Sequence, residues 1–243
     1  MTIHILNSFT CNAHIPRSMK SGLLSYLIET EQGLVLVDAG LSTAEYETPS
    51  LFTQIFRVIT IMPFDPKEAV LNQIQKMGYK AEGLKHIILT HAHFDHISGI
   101  TDFPDAKIHI YRKEYEAYMG RRKLFFDLAY NKNYVAHNPD FQLYDDIGEK
   151  WHDFDAIRLP FSPEIWLIPL AGHSRGHCGV AIKKNDGWIL HCGDAAADFR
   201  KDISALVIRI ALGPHEPRLR AFGEAHPEVE LTSSHMYLDF YEQ

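Results

Sequence analysis

At 243 residues, with 46% hydrophobic and 23% charged side chains, the chain has the composition of a folded globular protein and enough length to bury a substantial core, which excludes a disordered chain. A net charge of -7 offers poor ground for binding nucleic acid or an anionic membrane. Cys11, Cys178 and Cys192 are too few and too scattered for a disulfide framework, so a reducing compartment, the cytoplasm, is expected. The stretch MTIHILNSFTCNAH lacks a basic region followed by a long apolar run, and no segment is apolar enough to span a bilayer. No low-complexity linker divides the chain, so a single domain over 1–243 is expected.

In chain order, β-branched and alternating content predicts a strand at IHIL (3–6) and a hairpin at YLIETEQGLVLVDAG (26–40). The apolar stretch LFTQIFRVITIMPF (51–64) is broken by Gln54, Arg57 and Pro63 and reads as a loop, either a pocket lid or a subunit contact. Helical spacing of Val70, Leu71, Ile74 and Met77 predicts a helix over 66–78, with Pro66 in its first turn and Gly78 at its end. Strands follow at HIILT (86–90) and KIHIY (107–111), then a helix at RKEYEAYM (112–119). Residues 120–164 are rich in aromatics, among them Tyr130, Tyr134, Trp151 and Phe154, with Arg121 and Arg122; they either wall a pocket or pack outer helices or a subunit contact. A strand at IWLIPL (165–170), a hairpin at VAIKKNDGWILHCGD (180–194), a helix at 217–226 and a strand at VELTSS (229–234) complete the reading. The two hairpins share one plan, each turning at a glycine, Gly33 or Gly187, which suits two sheets facing each other. The class is therefore α+β, with helix layers outside a two-sheet core.

The segment LTHAHFDHISG (89–99) places His91, His93, Asp95 and His96 within six positions, directly after a buried-strand pattern. Side chains two apart in an extended chain point the same way, so His91 and His93 can grip one ion from one side. Asp95 and His96 come where the chain turns and could face a second ion. One surface histidine is ordinary, but three directly after an apolar strand, in a chain with 15 histidines, are not. His173, Asp194 and His235 each lie just past a predicted strand, which puts them on one rim of the sheets, where a rigid scaffold presents functional loops.

Taken together, HAHFDH, GHSRGH, GDAAAD and SSH, with LVDAG upstream, resemble the metallo-β-lactamase fold superfamily over residues 24 to 238. The resemblance implies an αββα sandwich of two mixed sheets with metals at one edge. It implies one ion on His91, His93 and His173, a second on Asp95, His96 and His235, and Asp194 bridging them. Asp38 of LVDAG would support a metal-bound histidine from behind. Imidazole-rich ligation suits zinc, with iron, manganese or cobalt as alternatives. Two ions about 3.5–4 Å apart would share a water, lower its pKa and present hydroxide to an ester-type carbonyl, with Asp95 or Asp194 passing the proton.

HAHFDHISG and the preceding QIQKMGYKAEGLKHIILT are similar to the N-acyl homoserine lactonase branch, so a lactone or other carboxylic ester is the expected small-molecule substrate. That branch carries a tyrosine three positions after the bridging aspartate. Ala197 stands here, which leaves Tyr115 or Tyr130 to take its part. GHSRGHCG resembles thioester hydrolases of the glyoxalase II type, so a thioester or phosphodiester is the alternative. A mononuclear iron persulfide dioxygenase, with similar ligands around one ion, is the alternative from another reaction class. His177 matches a structural position of the family and stays out of the ligand set. Arg175 could meet an anionic substrate, although a lone arginine is more often a solvated surface charge. Cys178 and Cys192 are expected as buried free thiols. His4, His14, His109, His137, His152, His191, His215 and His226 show no partner pattern. A homodimer is left open.

Overall fold

The computed structural model describes residues 2–13, 19–121, 125–200 and 209–237, and His14 and Arg122 lie outside them. In the first sheet β1 (Ile3–Ala13), β2 (Met19–Thr30) and β3 (Gly33–Val37) run antiparallel. Three strands then add in parallel: β4 (Leu84–Ile88), β5 (Lys107–Tyr111) and β6 (Asp140–Tyr144). The second sheet runs antiparallel through β7 (Glu149–Trp151), β8 (Phe154–Arg158), β9 (Ile165–Pro169), β10 (Cys178–Lys184) and β11 (Gly187–His191), with β12 (Val229–Thr232) parallel to β11. The chain then crosses back, and β13 (His235–Tyr237) pairs with β2 of the first sheet. The two predicted hairpins are β2–β3 and β10–β11, one in each sheet, closed at the pairs Thr30–Gly33 and Lys184–Gly187.

Strand alternation builds three apolar layers. Tyr26, Ile28, Val35 and Val37 face Ile165, Leu167, Val180 and Ile182 between the sheets. The residues between them point the other way. Leu27, Leu36, Ile87 and Ile108 bury under α1 (Thr43–Glu47), α2 (Leu51–Thr60), α3 (Val70–Lys76), α4 (Phe94–Ile97) and α5 (Arg112–Met119). Trp166, Ile168, Ala181 and Leu190 bury under α6 (Glu216–Ala225) through Leu219 and Phe222. Helices thus cover both outer faces of two mixed sheets, the αββα order that the motifs imply.

Two segments differ from their sequence reading. The stretch read as a loop at 51–64 is the helix α2, capped by the Ser50 side chain on the Thr53 amide. Gln54 and Arg57 do not break it, because both lie on its exposed side, and Pro63 falls beyond its left-handed end at Ile61. The helix predicted over 66–78 is split into a short 3-10 turn, Pro66–Glu68, and α3, because buried Ala69 is extended at ψ 128°. No helix among the described residues is long and apolar enough to cross a membrane.

Candidate metal centre

Each candidate ligand sits where a strand stops. His91 and His93 follow β4, and Asp95 and His96 occupy α4. His173 follows β9, Asp194 follows β11, and His235 opens β13 after the end of β12. Asp38 follows β3, in a left-handed backbone (φ 55°) that aspartate tolerates. Small residues allow the crowding. A Cβ on Gly99 would lie 2.1 Å from the Ala39 carbonyl oxygen, and one on Gly193 would lie 2.5 Å from His177 Nε2.

The structure brings all seven candidate ligands together. His91, His93 and His173 offer donor atoms within 4.8 Å of one another, and so do Asp95, His96 and His235. Asp194 lies between the groups: Oδ1 is 3.6 Å from His96 Nε2, and Oδ2 is 3.3 Å from His173 Nε2 and 3.6 Å from His235 Nε2. His235 Nε2 is also 3.6 Å from Asp95 Oδ2.

Partners behind the rings fix which nitrogen faces inward. Thr90 donates through its amide and its hydroxyl to Asp38, each at 2.8 Å. The Thr90 oxygen is then the acceptor for His91 Nδ1 at 3.0 Å. Asp38 Oδ2 accepts from His96 Nδ1 at 2.9 Å, and the Ala211 carbonyl accepts from His173 Nδ1 at 2.8 Å. His91, His96 and His173 are thereby set to present Nε2 as a lone pair. His173 Nε2 lies only 3.0 Å from His93 Nδ1, two ring nitrogens facing each other.

The donor set fits divalent ions. His91 Nε2, His93 Nε2, His96 Nε2 and Asp194 Oδ1 are buried without a hydrogen-bond partner. Groups of this kind are costly to leave unpaired in a protein interior. Burial pushes His91 and His93 well below their ordinary values, and neighbouring imidazoles add to the effect. Burial would lower His96 too, but the carboxylates of Asp38, Asp194 and Asp95 outweigh it and raise His96 to about 9. Asp194 likewise holds His235 well above its ordinary value against burial. Burial would raise the Asp194 carboxyl, yet His235, His96 and His173 hold it well below the carboxylate range. The carboxylates thus favour positive charge at His96 and His235, the positions where a metal cation would supply it.

Sequence reasoning missed the group that ties the ligand loops together. Glu114 of α5 is fully buried. Its Oε1 accepts from the Ala92 amide at 3.0 Å and the Tyr130 hydroxyl at 2.8 Å, and its Oε2 accepts from the Ser174 hydroxyl at 2.7 Å and the Gly176 amide at 2.9 Å. One carboxylate thus clamps the His91–His93 turn to the His173 loop. Glu114 shares a helix face with Ala117 and Tyr118, but only the structure shows that this face is buried and that its charge needs partners. His191, without a pattern in the sequence, is buried against Thr232, 3.2 Å away, with Nε2 3.9 Å from Asp38. His177 accepts from the Asp194 amide at 2.9 Å, a structural role. Arg175 is not a solvated charge: it pairs with buried Asp127 at 3.2 Å and donates to the Ala117 carbonyl. Cys178 and Cys192 are buried free thiols.

Residues 22–221 match the family model described as the metallo-beta-lactamase superfamily. Over 197 residues the chain is 36% identical to a Mycobacterium tuberculosis protein named a probable metallo-hydrolase, a match that covers 79% of this chain and 62% of that one. Over 173 residues it is 31% identical to an N-acyl homoserine lactonase of Bacillus cereus, covering 70% of this chain and 62% of the lactonase. The match thus spans 62% of the length of these curated relatives. The fold superposes on an N-acyl homoserine lactone hydrolase solved with the product N-hexanoyl-L-homoserine at its catalytic metal centre. The TM-score is 0.72 at 22% identity, over 96% of this chain and 92% of that one, a likeness of fold.

Proposed function

The chain belongs to the metallo-beta-lactamase superfamily, and from that premise we propose that it is a metal-dependent hydrolase of ester-type bonds, with a lactone or simple carboxylic ester as substrate. The observation that carries this reading is the set of buried, partnerless imidazole nitrogens around Asp194. We assign one ion to His91, His93 and His173, a second to Asp95, His96 and His235, and a bridging place to Asp194. Two divalent ions, zinc by the imidazole-rich donor set, would supply acidification of a water and polarisation of the substrate carbonyl.

The chain's own residues do the rest. Asp38 and Thr90 hold the His96 and His91 rings in one tautomer. Asp95 or Asp194 takes up and returns the proton of the hydrolytic step. Phe94 packs edge-on to Phe52 and Phe56, 5.1 Å from each, and keeps water from the side next to Asp95. A groove of about 400 Å³ lined by Leu51, Phe52, Ile55, Leu128 and Tyr130 suits an apolar part of the substrate. The Tyr130 ring lies 5.2 Å from that of His93, but its hydroxyl is bound to Glu114, and Tyr115 packs on Phe141. The lactonase-type tyrosine replaced by Ala197 therefore has no direct stand-in from either residue. The relative named an N-acyl homoserine lactonase supports the lactone reading by its name.

Initial rates on zinc-reconstituted protein with an acyl homoserine lactone, an aryl ester, an acyl-glutathione thioester and a phosphodiester test the proposal. Turnover of the lactone or the ester above the other two, abolished in Asp194→Ala, is expected. A panel at background, or one led by the thioester or phosphodiester, would overturn the ester assignment.

A further inference from the structure

A second group of metal-ligating side chains lies far from the first. His152, His226 and Glu228 offer one donor atom each within 4.8 Å of one another. They come from three places in the chain: the turn between β7 and β8, the C-terminal end of α6, and the connection into β12. His226 Nδ1 is 3.1 Å from Glu228 Oε1, and the two imidazole rings are 4.6 Å apart between centroids.

The rings are held in place rather than free to swing. Phe222 contacts both, with centroids 5.3 Å from His152 and 4.5 Å from His226, and Trp151 stands edge-on to His152 at 4.6 Å. His152 also has a left-handed backbone at φ 49°, which few side chains adopt, and that turn carries its ring to His226. The backbone on the third side is equally constrained. The Val229 amide donates to the His226 carbonyl, and the Glu228 carbonyl closes on Gly187, where a Cβ would lie 2.4 Å away.

We propose that His152, His226 and Glu228 form a peripheral binding site for a borderline divalent cation such as zinc, separate from the site at the strand ends. Two imidazoles and a carboxylate are a zinc-type donor set, and the open side facing solvent leaves further positions for water. The Asp194 loop and the His152–His226–Glu228 group lie at opposite ends of α6. Its first turn reaches the Asp194 loop, where Glu216 accepts from the Ala197 amide at 3.0 Å. His226 closes its other end, ten helical residues or about 15 Å away. A cation there would staple the β7–β8 turn to the end of α6 and the start of β12.

The site is tested on the full chain already loaded with zinc and dialysed against metal-free buffer, so that only tightly held ions remain. Equilibrium dialysis against rising free Zn²⁺ then counts what is added. The wild-type chain is expected to take up one further equivalent, with a rise in Tm, while His226→Ala, His152→Asn and Glu228→Gln take up none at the same zinc concentration. Hydrolytic rates are expected to match in all four proteins. Asparagine keeps the left-handed backbone accessible, and Glu228→Gln changes only an exposed group, so loss of uptake in these two is not a folding failure. No further saturable equivalent in the wild type, or equal uptake in the three variants, would overturn the proposal.

Discussion

Two groups of histidines lie along and just past strand β4, and they solve the same problem differently. In mid-strand, half-buried His86 Nδ1 meets Nε2 of buried His109 on β5 at 2.9 Å, and His109 Nδ1 meets the Tyr144 hydroxyl at 2.8 Å, with Phe161 packed on both rings. His109 thus has both ring nitrogens paired, and no carboxylate among the described residues pairs with it. Just past the end of β4, His91 and His96 keep inward Nε2 atoms without hydrogen-bond partners, crowded by Asp95 and Asp194. Burial of histidine alone therefore does not mark a site. Unpaired lone pairs converging on carboxylates do, because an interior tolerates them only if a cation completes them.

The comparison is broken most severely by Asp194→Ala, which removes the one carboxylate shared by both ligand groups. Metal content and turnover should fall together, with kcat/KM down by more than about 100-fold, above the scale for losing a group that merely supports a ligand. Full activity in that variant would refute the ligand assignment.

Glu114→Gln comes next, read as stability. Each carboxylate oxygen accepts one backbone N–H, from Ala92 or Gly176, and an amide NH₂ on either side would face a donor that cannot rotate away. A loss of about 3 kcal/mol is expected in denaturant titration, two unsatisfied buried groups at about 1–3 kcal/mol each. A loss under about 1 kcal/mol would show that the clamp contributes little.

Asp38→Ala should act more gently on the ligand group, while also leaving the buried Thr90 amide without its acceptor. It frees the His96 ring to take the wrong tautomer, and metal affinity should fall by about 10- to 100-fold in a chelator competition. Unchanged affinity would mean that the packing around His96 orients the ring without its hydrogen bond.

The smallest effect belongs to the fully paired group and sharpens the contrast. Burial, with His86 and Lys107 nearby, lowers His109 from 6.5 to about 3. The unfolded chain then binds this proton between those two values while the folded chain does not, so stability falls as pH drops from 6.5 toward about 3. His109→Gln should flatten the acid limb of a stability-against-pH curve by at most one proton, leaving metal content intact. An unaltered limb would place the His109 proton elsewhere.

The candidate ligand cluster that the structure brings together was legible because its signal is local. HAHFDH needs only a strand followed by a turn, and His173, Asp194 and His235 each carry the mark of a strand end. The sandwich was legible for a related reason: the two glycine hairpins announce one sheet each. Glu114 was not legible, because its partners lie up to 62 residues away and nothing in RKEYEAYM alone says which face is buried. Helix α2 was missed although its signal was present. Leu51, Phe52, Ile55, Phe56, Val58 and Ile59 fall on one side at helical spacing, but Gln54 and Arg57, which lie on the opposite side, read as breaks in an apolar run. The pair His152 and His226 lacked any pattern because a backbone of unusual φ brings them together.

The most direct test of the central claim is an anomalous difference map at the zinc edge from crystals of the zinc-loaded chain. Two peaks are predicted on either side of the Asp194 carboxylate, one among His91, His93 and His173 and one among Asp95, His96 and His235. A map with no peak against these side chains would contradict the account, because the partnerless nitrogens would then need another explanation.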